Sequence, residues 1–129
     1  MSKLKVLLVE DERLLALIVK RGLEKNGHVI TDIIAFAEQV EDAIAKRRPD
    51  VVLMDITLKG AMTGIEATKI INELYDIPVI YISAHSDKET KEKADETSYL
   101  AYLEKPVDIP ALLKKLEGIS LFASSMSAK

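Results

Sequence analysis

The sequence predicts an α/β fold: a parallel sheet with helices on both faces, in a chain of 129 residues. Two observations carry that expectation. Short apolar runs alternate with segments of helical periodicity five times along the chain, as in strands joined by helical crossovers. Several of the runs are apolar at successive positions, VVLM at 51–54 being the clearest, and strands buried on both faces look like that. Hydrophobic residues make up 48% and charged residues 30% of the chain, a globular composition large enough to bury one core without covalent staples.

The run LKVLLV at 4–9 reads as the first strand. Over 12–26, Leu14, Leu15, Ile18, Val19, Gly22 and Leu23 recur at close to helical spacing and are expected to face inward. The helix stops at Asn26-Gly27, a C-terminal signal, and His28 reads as a turn residue. VITDII at 29–34 is β-branched and strand-like, and Ala37, Val40, Ala43 and Ile44 mark a second helix that ends before Pro49. Arg47-Arg48 reads as its solvated end, where positive charge suits the helix dipole. The third strand, 51–54, stops on Asp55.

A loop containing Gly60 and Gly64 leads to a helix over 65–74, with Ala67, Ile70, Ile71 and Leu74 facing inward. Pro78 introduces a fourth strand, 79–82, which ends on Ser83. Residues 87–96 are mostly charged, with Ala94 alone as an inward candidate, so this helix has the poorest apolar face. Residues 100–103 form a fifth strand, followed by Glu104-Lys105-Pro106. The last helix, 109–119, is amphipathic through Ile109, Leu112, Leu113, Leu116 and Ile119. It tolerates Pro110 in its first turn because the missing amide has no intrahelical partner there. Residues 1–121 read as one domain and 122–129 as a frayed, small and polar tail.

Composition excludes several functions. With no cysteine there is no disulfide scaffold, thiolate zinc site or cysteine nucleophile. No stretch reaches the roughly 18 apolar residues of a membrane span, and the segment before the first strand is too short for a signal peptide. A cytoplasmic location is therefore expected. A net charge of -3 with no basic stripe speaks against nonspecific nucleic-acid binding.

The functional signal lies where the strands end. Parallel strands of a doubly wound sheet deliver their C-terminal residues to one edge, where ligands bind. There the sequence places Glu10-Asp11, Asp55, Ser83 and Lys105. Carboxylates brought together repel one another unless a cation joins them. An all-oxygen set suits Mg2+ or Mn2+, whereas zinc is disfavoured by ligand type and calcium by the absence of a regular acidic loop. Asp11 is the expected direct ligand, with Glu10 able to act through water. Glu12 is expected to point away, in the first turn of the helix. With a divalent ion in place, an Asp55 oxygen can attack a phosphoryl group to give an acyl phosphate. Lys105 and Ser83 would then contact the phosphoryl oxygens. The Lys105-Pro106 bond is open to either isomer.

The stretches VLLVEDE (6–12), PDVVLMDI (49–56), MTGIEA (62–67), PVIYISA (78–84) and YLEKPVD (102–108) together resemble the receiver domain of two-component response regulators, over about residues 4 to 120. The resemblance implies a flavodoxin-like, doubly wound parallel sheet of five strands in the order 2-1-3-4-5. It also implies a phospho-accepting signalling domain rather than a conventional enzyme. In this chain Asp55 would be the phosphoacceptor, supplied by a histidine kinase or a histidine phosphotransfer protein. Glu10, Asp11, Asp55 and the backbone carbonyl of Thr57 would hold Mg2+. Ser83 and Tyr102 would be the switch pair, Lys105 the amine beside the phosphate, and Thr57 and His85 the positions that tune phosphate lifetime. Output would pass through a downstream protein or a homodimer, without direct contact to nucleic acid or membrane.

Two stretches depart from the commonest pattern of that family. The loop ITLKGAMTG has Lys59 in place of a proline and is longer by one residue, resembling a subset of receivers that also carry an ExT-type stretch before the fifth strand, as Glu96-Thr97-Ser98 does here, and Ala101 replaces a glycine. Two other readings compete: an interaction module that keeps the fold without the chemistry, and a metal-dependent phosphatase with an aspartyl nucleophile. The second would normally carry another acid where this chain has Thr57.

Overall fold

The computed structural model describes residues 3–58, 60–84 and 87–127, the side chains of 120–127 excepted. In chain order the elements are β1 (Lys5–Val9), α1 (Arg13–Lys25), β2 (Val29–Ile34), a 3-10 turn (Ala37–Gln39) leading into α2 (Val40–Lys46), β3 (Val51–Asp55), α3 (Gly64–Leu74), β4 (Val79–Ser83), α4 (Lys88–Ala94), β5 (Ala101–Glu104) and α5 (Ile109–Ser127). The strands form one sheet in the order β2-β1-β3-β4-β5, and every neighbouring pair is parallel. The expected fold class is the observed one.

Why the central strands are apolar at every position is visible in the core. Leu7, Val9, Val52, Met54, Val79 and Tyr81 point to one face and pack with residues of α2 and α3 and with Ala94 of α4. Their neighbours in sequence, Val6, Leu8, Val51, Leu53, Ile80 and Ile82, point to the other face and meet α1 and α5. Side chains alternate along a strand, so two buried faces require an unbroken apolar run.

Helix faces follow the sequence reading less closely. In α1 the buried residues are Ala16, Val19 and Leu23, whereas Leu14 and Ile18, expected inside, are 73% and 50% exposed. Leu14, Leu15, Leu17, Ile18 and Val19 occupy much of the helix circumference, so periodicity alone does not single out one stripe. The sheet selects the stripe containing the small Ala16, with Leu15 at its edge. Leu74, expected inside α3, is 58% exposed at the end of the helix. The α4 reading holds: Ala94 is its buried residue. Helix α5 continues to Ser127, past the end at 119 that the periodicity predicts. The Lys105-Pro106 bond is cis.

The start of α3 fixes the end of β3. Thr63 Oγ1 accepts a hydrogen bond from the Glu66 amide at 3.1 Å, and the Glu66 carboxylate accepts one from the Thr63 amide at 2.9 Å. This reciprocal cap satisfies two amides that the helix leaves free. The next residue, Gly64, lies so close to β3 that a Cβ there would stand 2.2 Å from the Asp55 carbonyl oxygen. Only a residue without a side chain lets the helix seat against this strand end. Gly64→Ala should therefore lower the unfolding free energy in urea by about 2–3 kcal/mol. Gly118→Ala, in a helix with open space around it, should raise it by about 0.5–1 kcal/mol.

Candidate functional site

Three ladder-like bonds carry the strands one residue past their formal ends. The Glu10 amide donates to Ile34 O at 2.9 Å, the Ile56 amide to Ile82 O at 3.0 Å, and the Lys105 amide to Ser83 O at 2.8 Å. Glu10, Asp55, Ser83 and Lys105 are thus held at one rim by the sheet itself. Glu10, Asp55 and Ser83 are buried.

The acids converge. Glu10, Asp11 and Asp55 each offer a carboxylate oxygen within 4.8 Å of the others. Lys105 Nζ stands among the carboxylates, 3.1 Å from Asp55 Oδ2, 3.2 Å from Glu10 Oε1 and 3.1 Å from Glu12 Oε1. Asp55 Oδ1 accepts the Thr57 amide at 2.9 Å, and Glu10 Oε2 accepts the Glu12 amide at 3.0 Å. Burial first, then the adjacent Asp55, push the Glu10 carboxyl up to about 7. Burial opposes the charge on Lys105, but its bonds to Asp55, Glu12 and Glu10 outweigh that and hold it above its ordinary value.

The donor set fits a small hard cation. Glu10 Oε1 is buried and accepts no hydrogen bond of good geometry among the described residues, although the Lys105 ammonium is near. Leaving such an oxygen unsatisfied is costly, and a divalent ion would use its lone pair. The oxygens come from carboxylates, with no thiolate or imidazole in the group, as Mg2+ and Mn2+ prefer.

The other expected residues occupy nearby positions. Tyr102 is half-buried on β5, its ring 6.2 Å from that of Tyr81 and 6.3 Å from that of Tyr99. Thr57, two residues after Asp55, is exposed. His85 lies outside the described residues, as does Lys59. His28 accepts a hydrogen bond from the Leu4 amide at Nδ1, 3.2 Å, a turn residue tied to the first strand, and burial lowers its pKa.

Several arrangements escaped the sequence reading. Glu12, expected to point away, turns its carboxylate onto Lys105; it is the N-cap residue of α1 but makes no side-chain cap. On α4, Lys91 Nζ lies 5.0 Å from the centroids of both the Tyr99 and Tyr102 rings. It also donates to Tyr99 Oη and to Asp95, and Tyr99 Oη donates to Asp95. The unusual Glu96-Thr97-Ser98 stretch acquires a structural meaning beside them. Thr97 Oγ1 is 2.7 Å from Oη of the buried Tyr81. The Ser98 amide and carbonyl are clasped by the Asn72 side chain at 2.8 and 3.2 Å. An i+4 spacing hints at the Lys91–Asp95 pair, whereas nothing in the sequence signals the Asn72–Ser98 clasp.

A parallel sheet with an acid triad and a lysine at its carboxyl rim defines a class of signalling domain that accepts phosphoryl groups on aspartate in a Mg2+-dependent reaction. The chain belongs to the response regulator receiver domain family, whose profile matches residues 6–117. It is 33% identical over 118 residues to the DNA-binding transcriptional regulator NtrC of Proteus hauseri, covering 91% of this chain and 24% of that protein. It is 31% identical to the polar-differentiation response regulator DivK of Brucella anthropi, covering 88% of this chain and 93% of that one. Among solved structures, the signal receiver domain of a modulated diguanylate cyclase from Desulfovibrio desulfuricans G20 superposes with a TM-score of 0.86 at 31% identity, over 92% of this chain and 94% of that one. The chain spans from 24% to 55% of the length of NtrC, YvrH of Bacillus subtilis and PdtaR of Mycobacterium tuberculosis. Among the described residues no helix is long and apolar enough to cross a membrane.

The Glu10 shift sets a pH dependence. A carboxyl raised from 4.5 to about 7 stabilises the metal-free fold fully below the lower value, and that contribution is lost as pH rises through the upper one. In metal-free buffer, Glu10→Gln should therefore raise stability by about 1–2 kcal/mol at pH 8, with the gain shrinking toward pH 5. Thermal unfolding at the two pH values checks it.

Proposed function

We propose that Asp55 is the phosphoacceptor, and that its donor is a histidine kinase or a histidine phosphotransfer protein. The observation that carries this reading is the position of the buried Asp55 carboxylate, with the Lys105 ammonium 3.1 Å away and the acids Glu10 and Asp11 beside it. In the transfer, an Asp55 oxygen attacks phosphorus as the bond to the donor's histidine nitrogen breaks. The nitrogen leaves with its electron pair. Glu10, Asp11, Asp55 and the Thr57 carbonyl would hold a divalent cation, which would supply charge neutralisation for the acids and the phosphoryl group. Lys105 pairs with one phosphoryl oxygen and Ser83 donates a hydrogen bond to another, as positioning and charge stabilisation require.

The new dianion draws Ser83 toward itself, and Tyr102 turns into the space left behind. The face made by α4, β5 and α5 changes shape, and a downstream protein or a second copy of the domain reads it. Thr57 and His85, the positions that tune phosphate lifetime in the family, set how readily water reaches the acyl phosphate. The domain acts by protein contact, without touching nucleic acid or membrane itself.

Incubation with Mg2+ and a small acyl-phosphate donor should add one phosphoryl group by intact mass, and Asp55→Asn should abolish the addition. An unmodified wild-type mass would favour a binding module without chemistry. Lys105→Ala should keep the fold, judged by far-ultraviolet circular dichroism. It should also slow phosphorylation about a hundredfold or more, the scale of removing one stabilising donor.

A further inference from the structure

Glu12 is the acid that the reaction just described does not use. It follows Glu10 and Asp11, caps no helix amide with its side chain, and places Oε1 3.1 Å from Lys105 Nζ. It differs from the other partners of that lysine in one respect. The Glu10 and Asp55 side chains are each 1% exposed, whereas Glu12 is 63% exposed. The ammonium of Lys105, a side chain only 12% exposed, thus has two kinds of counter-charge: buried carboxylates that also form the cation site, and one solvated carboxylate outside it.

That division matters because Lys105 and a divalent cation compete for the same oxygens. Asp55 Oδ2 and Glu10 Oε1 face the ammonium at 3.1 and 3.2 Å. A cation drawing on the same carboxylates weakens the hold of Lys105 there. A mostly buried ammonium cannot be left without a partner cheaply. We propose that Glu12 is a positioning residue for Lys105. It receives the ammonium when Glu10 and Asp55 engage a divalent cation, and keeps it at the rim in line with the acceptor. Without Glu12, Lys105 settles more deeply onto Asp55 and Glu10 and opposes cation binding. The inference rests on the cation-site reading but not on phosphoryl transfer.

The test is a double-mutant cycle read by Mg2+ affinity alone, with no phosphoryl donor present, using calorimetric titration of the wild type, Glu12→Gln, Lys105→Ala and the double variant. Glu12→Gln should weaken Mg2+ binding by about two- to fivefold, the range of a partly solvated ion pair. In the Lys105→Ala background the same substitution should change it little. Equal weakening in both backgrounds would make Glu12 a through-space charge only and overturn the proposal, as would unchanged affinity in the single variant. Intact Mg2+ coupling in a protein that takes up no phosphoryl group would support this role while defeating the proposed function. Far-ultraviolet circular dichroism of each variant separates a folding defect from an affinity effect, and Glu12→Asp, which keeps the charge, should recover part of the loss.

Discussion

The structure turns on a single ammonium. Buried carboxylates at the end of a parallel sheet are unfavourable, since each loses water and repels its neighbours. Lys105 makes the arrangement tenable by touching Asp55, Glu10 and Glu12 at once. The strand order is what permits this. With β1 beside β3, and β4 between β3 and β5, the acids of the first two converge directly, and the lysine reaches them from two strands away over the rim at Ser83. A different order would scatter the same residues.

The second constraint is how α4 is held. Its one buried residue, Ala94, sits at the C-terminal end. Just beyond it, Thr97 is bonded to Tyr81 and Ser98 is clasped by Asn72. Toward the N-terminal end, the Lys88–Glu92 and Lys93–Glu89 pairs lie within the helix and are exposed, and contribute little. Firmly fixed at one end and lightly at the other, such an element opens locally at low cost. Lys91 spans the difference. It rests over the rings of both Tyr99 and Tyr102, and cation–π contact is favourable only while the ring faces are presented to it. The orientation of Tyr102 and the seating of α4 are therefore energetically linked.

Much of this was legible in the sequence. Successive apolar positions in 51–54 and 79–82 announced strands covered on both sides, and the acids and lysine at the strand ends announced the rim. What stayed hidden has a common cause. Periodicity weighs side chains by bulk, so it put Leu14 and Ile18 inside. Packing weighs fit, and the close approach of α1 to the sheet favoured Ala16. Likewise, an acid at the entrance to a helix is explained well enough by the dipole, so nothing directed Glu12 to a lysine 93 positions later. The Asn72–Ser98 clasp joins residues 26 apart in sequence and has no local signature. Sequence pattern conveys what an element needs from its surroundings in kind, whereas partners are settled by the packed geometry.

The charge balance at the rim explains why the site is built for a multivalent cation and is not simply neutral. Four acids, Glu10, Asp11, Glu12 and Asp55, share the rim with one lysine, which touches three of them. With Glu10 pushed up to about 7, protonation relieves part of the excess in the absence of metal, and water screens the part carried by Glu12, whose side chain is mostly exposed. Both devices are reversible. A second fixed lysine would neutralise the cluster permanently, but it would repel a cation and leave no lone pair to ligate one. An apolar replacement of similar volume would be at least as stable, yet would offer no field at all. The residual negative charge, focused by the low-dielectric floor of β1 and β3, is what the fold retains at the cost of its own stability, and it is the property from which the chemistry at Asp55 follows.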